Sequence, residues 1–433
     1  MNNILNRLSF SSFREAGDTT RTNHQPSEKP MKWDFGLREL GLAALLTGSA
    51  TAASAQMPMP MPPPSMPAMA GPLSVNPNPL TLDLGPYASK VYVTGAVTGF
   101  AYAQDQATKV SLFDDNPTGF DLSNAQVFVQ KTDGLFQFFI QAGAYSVPNL
   151  GFPFLKSSVA MNQLWGVVPQ AYVKIAFADN FSIQAGKLPT LIGDEYTFTF
   201  ENMNILRGLL WDEEPAVSRG VQVNYSVGPV SLSASWNDGY YSNRYNWISG
   251  LVAWTINMQN TLAFAAGGNI GSSGPQYNFR TPFLQNNSSI FNVIFTHTMG
   301  PLVISPYFQY QHVSKDLNLG IPEGGSAYGG ALLASYSFDD NWKLAGRVEY
   351  ITTSGDSINL LYGPKSSAWS FTLTPTFQYH QFFARAEFAY VGASGIIHAT
   401  DDGEGGFFPG TGIGPIGDAT SQIRGMFETG ILF

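Results

Sequence analysis

The sequence predicts an all-β fold: a transmembrane antiparallel up-and-down β-barrel of sixteen strands, with short turns at one end and long loops at the other. Three observations predict it. Charged residues make up 12% of the 433, against 44% hydrophobic and 14% aromatic, yet mean hydropathy is only −0.04. A soluble domain carries about twice that share of charge, and a helical membrane protein needs apolar runs of about 20 residues. From about Val91 onward apolar and polar residues alternate, as in strands with one apolar face. Tight turns and long polar segments also take turns along the chain.

The first 90 residues read as export signal and tether. Residues 1–30 are polar and formless, and Met31 is the expected true start, which makes them a mis-called extension. Residues 31–55 read as a signal peptide. Lys32 and Arg38 supply positive charge, Leu40 to Leu46 a short apolar core, and Ala53-Ser54-Ala55 the cleavage site before Gln56. Residues 56–88 are dense in proline, which cannot join a sheet ladder, and form a semi-rigid periplasmic linker. Its Met57, Met59, Met61, Met66 and Met69 carry thioethers that suit Cu(I), but the repeat reads as low complexity. No metal or cofactor is expected. The barrel takes residues 89–433.

Within the barrel, Val230, Leu232, Ala234 and Trp236 share one face and Ser231, Ser233, Ser235 and Asn237 the other. Trp369, Phe371, Leu373, Phe377 and Tyr379 alternate with Ser370, Thr372, Thr374, Thr376 and Gln378; Trp342, Leu344, Val348 and Tyr350 alternate with Lys343, Arg347 and Glu349. The polar face is mostly hydroxyl and amide, and aromatics cluster at strand ends, as in the girdles of outer-membrane barrels. Tight turns fall at Thr132-Asp133-Gly134, Ala178-Asp179-Asn180, Val227-Gly228-Pro229, Met258-Gln259-Asn260, Met299-Gly300-Pro301, Asp339-Asp340-Asn341 and His380-Gln381. Long segments fall near 104–118, 148–162, 188–215, 238–244, 271–288, 314–327, 354–366 and 392–419. Seven turns and eight loops join sixteen strands and put both termini on the short-turn, periplasmic side.

The chain closes with Ile423, Phe427, Ile431 and Phe433 on one lipid-facing side. Phe427, Ile431 and the terminal Phe433 look like the signal by which the outer-membrane assembly machinery takes up its barrel substrates. The central region also carries Ala142-Gly143-Ala144-Tyr145, Gln184-Ala185-Gly186-Lys187, Gly193-Asp194-Glu195, Asn202-Met203-Asn204-Ile205 with Arg207, and Arg219-Gly220-Val221. In these motifs, over most of residues 90–433, it resembles the OmpL-like β-barrel porins. The resemblance implies a porin-like role in the bacterial outer membrane without naming a solute.

A pore follows from the residues as well. Lipid offers no hydrogen bonds, so β-structure survives there only as a closed barrel, and sixteen strands enclose an aqueous lumen. The third loop is expected to fold inward and narrow it. That loop holds Asp194, Glu195, Glu201, Asp212, Glu213 and Glu214 against Arg207 alone. Inward parity puts Lys174, Lys343, Arg347, Arg385 and Arg424 on the wall. Acidic loop against basic wall would set a transverse field; alternatively Glu349, Glu387 and Glu428 neutralise their basic neighbours. Arg219 shares parity with Val221 and is expected outward, at the headgroup rim. Without residues 1–55 the chain keeps 16 basic and 26 acidic residues, which suggests mild cation selectivity.

The expected function is therefore passive diffusion of small hydrophilic solutes, with outer-membrane lipid as surroundings. Two alternatives stand beside it. One is a sugar-selective channel, for which inward Tyr145, Tyr172 and Phe383 would serve. The other is a non-conducting barrel that anchors surface loops for adhesion. A homotrimer is expected to pack through small outward residues such as Ala263 and Ala265. Other chemistry is poorly served. Cysteine is absent, and a net charge of −9 without a basic run argues against nucleic acid. His24, His297, His312, His380 and His398 show no metal spacing. An esterase-like pairing would need His312 or His398 with Asp316 or Asp401, and Gly412-Ile-Gly414-Pro-Ile-Gly417 lacks the helix a dinucleotide site requires. An enzyme is not expected.

Overall fold

Lipid leaves a backbone N–H or C=O no partner, so every strand edge must be paired, and the chain meets this by closing its sheet on itself. The computed structural model describes residues 73–74, 76–85, 89–108, 115–276, 280–401, 403 and 406–433. The extension, the signal peptide and the proline-rich part of the linker fall outside these residues.

The barrel strands are β1 Lys90–Gln104, β2 Thr118–Lys131, β3 Phe136–Tyr145, β4 Gln170–Ala178 and β5 Phe181–Pro189. Next come β6 Val217–Val227, β7 Val230–Asn237, β8 Trp247–Asn257, β9 Asn260–Asn269 and β10 Ser288–Met299. The last are β11 Leu302–Val313, β12 Gly325–Ser337, β13 Trp342–Ser354, β14 Ser367–Tyr379, β15 Phe382–Ser394 and β16 Ser421–Leu432. Each pairs antiparallel with the next, and β16 returns to β1. The sixteen-stranded count and all seven tight turns fall where the sequence put them. Gly134, Gly228 and Gly300 hold three of those turns at φ of 71°, 53° and 57°, conformations that cost a side chain.

Alternation sorts the two faces. On β14, Trp369, Phe371 and Leu373 are exposed while Thr372, Thr374 and Thr376 are buried to 0%. The lipid-side residues of the last strand, Ile423, Phe427, Ile431 and Phe433, are exposed as expected. Ala263 and Ala265 are not. On β9 it is Leu262, Phe264 and Ala266 that point out, Phe264 being 41% exposed, whereas Ala265 is 1% exposed on the inner face. The small-residue surface proposed for trimer packing is thus on the lumen side.

The seam sits at the chain's last residue. Phe433 N–H donates to the Gly95 carbonyl (2.9 Å) and Gly95 N–H to the Phe433 carbonyl (2.8 Å). β1 runs on past this point, and its free edge is taken by a short strand, Leu80–Asp83, with Leu80 opposite Val93 and Asp83 opposite Lys90. Upstream, Ser74 exchanges hydrogen bonds with the Gln378 side chain (2.7 and 2.8 Å). Part of the segment expected to be linker is therefore docked on the barrel.

The wall is uneven in height. β4 and β5 have nine residues and β7 eight, whereas β12 to β15 have thirteen each.

A Cβ at Gly95 would overlap the Phe433 ring and the Gln126 carbonyl. Gly95→Val should cost about 1–3 kcal/mol of overpacking and lower the temperature at which the barrel loses its compact electrophoretic form. Deleting Phe433 should do the same. Wild-type heat resistance in both variants would remove the seam from this role.

Candidate functional site

The lumen is organised by the long third loop, residues 190–216 between β5 and β6. Its middle carries Met203, Ile205, Leu206, Leu209 and Leu210, all buried in one apolar cluster with wall residues Ile294, Tyr307, Leu333 and Ala345. Apolar burial draws the loop inward, and polar contacts fix its course. It reaches deep, because Arg385 and Ser305, which it touches, are each the fourth residue from the short-turn end of β15 and β11.

Arg347 and Arg385 hold the loop. Arg347 Nη1 donates to Glu195 Oε1 (2.5 Å) and to the Leu206 carbonyl (2.8 Å), and its Nε lies 3.2 Å from Glu349 Oε2. Arg385 donates to Glu428 through Nε (2.7 Å) and to the carbonyls of Thr199 (2.6 Å) and Asn202 (3.0 Å). The wall carboxylates grip the loop's backbone. Glu387 accepts from the N–H groups of Ile205 (2.5 Å) and Leu206 (3.0 Å), and Glu349 from those of Leu209 (3.1 Å) and Leu210 (3.3 Å). Glu428 accepts from Thr199 Oγ1 (2.6 Å). Charges taken out of water persist only when paired or fully hydrogen-bonded. Glu195, Glu349 and Glu428 each meet an arginine, and Glu387 accepts three hydrogen bonds, two from the loop and one from Thr374 (2.8 Å).

The remaining predicted residues are placed differently. Arg424 faces inward but holds the second loop, donating to the carbonyls of Asn149 (2.7 Å) and Phe152 (2.8 Å). Lys343 lies near Ser74 (3.4 Å). Lys174 stands on the opposite wall, level with Gln184 on β5. On the loop, Asp194 accepts from Ser305 (2.5 Å), Asp212 from Asn149 (2.6 Å) and Glu213 from Gln285 (3.1 Å). Glu214 lies 3.5 Å from the Tyr307 hydroxyl, and Glu201 caps Phe198 N–H (3.0 Å). Arg207, buried to 0%, donates to the loop's own carbonyls at Thr197 and Ile205. Acid and base thus touch at Glu195–Arg347 instead of facing one another across a gap. Burial raises both Glu201 and Glu213 to about 8, so near neutral pH the loop carries less charge than its composition suggests.

The other side of the lumen is unlike this one. Along β4 to β7 the inward Lys174, Gln184, Asn224, Ser226, Ser231 and Ser233 are at least partly exposed, whereas Ser182, Gln222 and Ser235 on the same face are buried. Two small-polar tiers run across these strands, Gln184–Gln222–Ser235–Ser249 and Ser182–Asn224–Ser233.

Sequence reasoning missed the role of Glu349 and Glu387 as acceptors for the loop's backbone, and of Glu428 as acceptor for the Thr199 hydroxyl. The Arg-x-Glu spacing of Arg347/Glu349 and Arg385/Glu387 was the available signal. The histidines and aspartate weighed for an esterase-like pairing have other partners: His312 Nδ1 meets Ser326 (2.9 Å), His398 meets Asp418 (2.8 Å), and Asp316 caps Asn318 N–H. Arg219 points outward but is tied to Asp238 (2.7 Å). Among the described residues no group of acidic or histidine side chains could hold a metal ion.

The profile of the family described as "Putative beta-barrel porin-2, OmpL-like" matches residues 90–433. The chain belongs to the OmpL-like β-barrel porins. Solved structures share this porin's fold. The outer-membrane channel DcaP of Acinetobacter baumannii aligns at TM-score 0.52 and 9% identity, over 82% of this chain and 100% of that one. The anion-selective porin of Comamonas acidovorans aligns at 0.51 and 10%, over 79% and 99%. OmpT of Vibrio cholerae, in its trimer form, aligns at 0.51 and 12%, over 79% and 99%. No curated protein matches the sequence. Family and fold place this porin in the outer membrane and mark it as a channel rather than an enzyme.

Arg347→Met strands Glu195 and Glu349 without a cation, which for a buried pair costs about 3–5 kcal/mol. The third loop of this porin should then become open to protease cleavage, whereas Lys174→Met should leave it protected. Equal protection in both would show that the ion pair does not hold the loop.

Proposed function

We propose that this porin forms a water-filled channel for passive diffusion of small hydrophilic solutes, narrowed by the third loop to the part of the lumen beside β4 to β7. The observation that carries the reading is the contrast between two walls. Where the loop docks, inward side chains such as Thr372 and Thr374 are 0% exposed; on the opposite side Gln222 and Ser235 are buried, but toward the short-turn end Asn224, Ser226, Ser231 and Ser233 remain partly exposed. Hydroxyls and amides wet a passage without binding strongly, which suits a conduit whose solutes must leave as readily as they enter.

The loop's acids set the selectivity. Glu201 and Glu213, raised to about 8 by burial, are protonated and neutral below that pH and negative above it. The lumen therefore gains negative charge as pH climbs, and a low-dielectric wall focuses that charge onto passing ions. The channel is weakly cation-selective near neutrality and more so at alkaline pH.

Planar-bilayer recording tests both parts. Stepwise, ohmic conductance is expected, reduced when Ser233 and Asn224 are both replaced by Trp. In a tenfold salt gradient the reversal potential should move toward cation preference between pH 6 and pH 9. That shift should shrink in a Glu201→Gln/Glu213→Gln variant. A silent barrel defeats the channel reading, and anion selectivity at both pH values defeats the account of the loop's charge.

A further inference from the structure

A cation cluster gathers at the long-loop rim of β5 and β6. Lys187 on β5 and Arg219 on β6 sit directly opposite one another, and their neighbours Leu188 and Ser218 are buried on the inner face. Like charges facing across a strand pair repel, so their juxtaposition calls for a compensating anion. A third cation joins them. The ring of Tyr241, from the loop after β7, lies 3.9 Å from the Arg219 guanidinium, 5.1 Å from that of Arg280 and 5.6 Å from Lys187 Nζ. Tyr241 takes φ of 56° in this position, a left-handed conformation uncommon in a bulky residue.

Compensation within the chain is partial. Arg219 pairs with Asp238 (2.7 Å), the one ion pair recorded for the three cations among the described residues. Lys187 donates to the carbonyls of Trp165 (3.1 Å) and Val168 (2.7 Å), and Arg280 to that of Leu164 (2.8 Å). Three cations and one carboxylate leave two positive charges. Their height on the barrel indicates what meets them. Val221 pairs with Trp236, both outward and exposed, and Arg219 stands two residues beyond Val221 toward the long-loop end. The cations thus lie just outside an interfacial tryptophan, at headgroup level, above the exposed apolar strip of Val173, Val221 and Val223.

We propose that Lys187, Arg219 and Arg280 bind a phosphate group of a phosphorylated glycolipid in the outer leaflet, whose acyl chains lie along that strip. Guanidinium and ammonium donors match phosphate oxygens, and the valines supply the contact that a free anion would lack. The site rests on the outer-membrane barrel alone and is independent of whether the pore conducts.

The test uses the full chain folded in a zwitterionic detergent, with lipid retention counted by native mass spectrometry. The probes are bisphosphoryl lipid A, its fully dephosphorylated form, and inorganic phosphate. The wild type should hold bisphosphoryl lipid A at least tenfold more tightly than the dephosphorylated lipid. The Lys187→Gln/Arg280→Gln variant should lose that preference, while Lys187→Arg keeps it and all three proteins retain the same heat-resistant compact form. Equal retention by wild type and the double Gln variant overturns the proposal. Displacement of the lipid by millimolar inorganic phosphate, with no preference for the acylated ligand, overturns the lipid and leaves only a free-anion site.

Discussion

Everything in this molecule depends on closure of the sheet. A strand edge facing hydrocarbon has no partner, and each unmet backbone group costs several kcal/mol, so partial barrels are not an option. The two hydrogen bonds between Gly95 and Phe433 complete the ring at the last residue of the chain. Gly95 lacks a Cβ where the terminal ring must lie. Beyond that point β1 would again show a bare edge, and Leu80–Asp83 covers it. Once the ring is closed, the rest follows: aromatic and aliphatic side chains outside, polar ones inside, and an interior too wide to be filled by the wall's own side chains.

The third loop partly fills that interior, and it does so as a protein core does. Its leucines and isoleucines pack against the wall, but a loop without regular structure brings backbone N–H groups that have no helix or sheet to satisfy them. Glu349 and Glu387 meet four of these groups, and Arg347 lies against Glu349 to offset its charge. The ionic residues of the lumen are therefore organised around the loop's backbone as much as around one another. Removing one member leaves several others unsatisfied, because such networks are cooperative.

Much of this was legible in the sequence, for a local reason. Period-two alternation needs no knowledge of distant residues, so the inward placement of Arg347, Arg385 and Arg424 and all seven turns could be read directly. Contacts between a loop and a wall are non-local, and here the reading failed in specific ways. Arg424 anchors the second loop, a choice set by how loops pack over the mouth and not by parity. Arg347 and Glu349 lie two apart on one face and read as a self-neutralising pair, yet Glu349 also serves the backbone of residues some 140 positions away. Ala263 and Ala265 show how little tolerance parity leaves: in a strand, a one-residue slip exchanges lumen and lipid.

The uneven wall has a consequence of its own. At about 3.3 Å per residue and a tilt near 40°, eight or nine residues rise roughly 20–23 Å and thirteen about 33 Å, against an apolar band of about 25 Å in such barrels. The barrel is thus a wedge. Beside β4, β5 and β7 the bilayer must thin or its tails must tilt, at a fraction of a kcal/mol per Å. That deformation relaxes when a second low wall shares the thinned patch. Clustering in the plane of the membrane then follows from strand length, before any side chain recognises a neighbour.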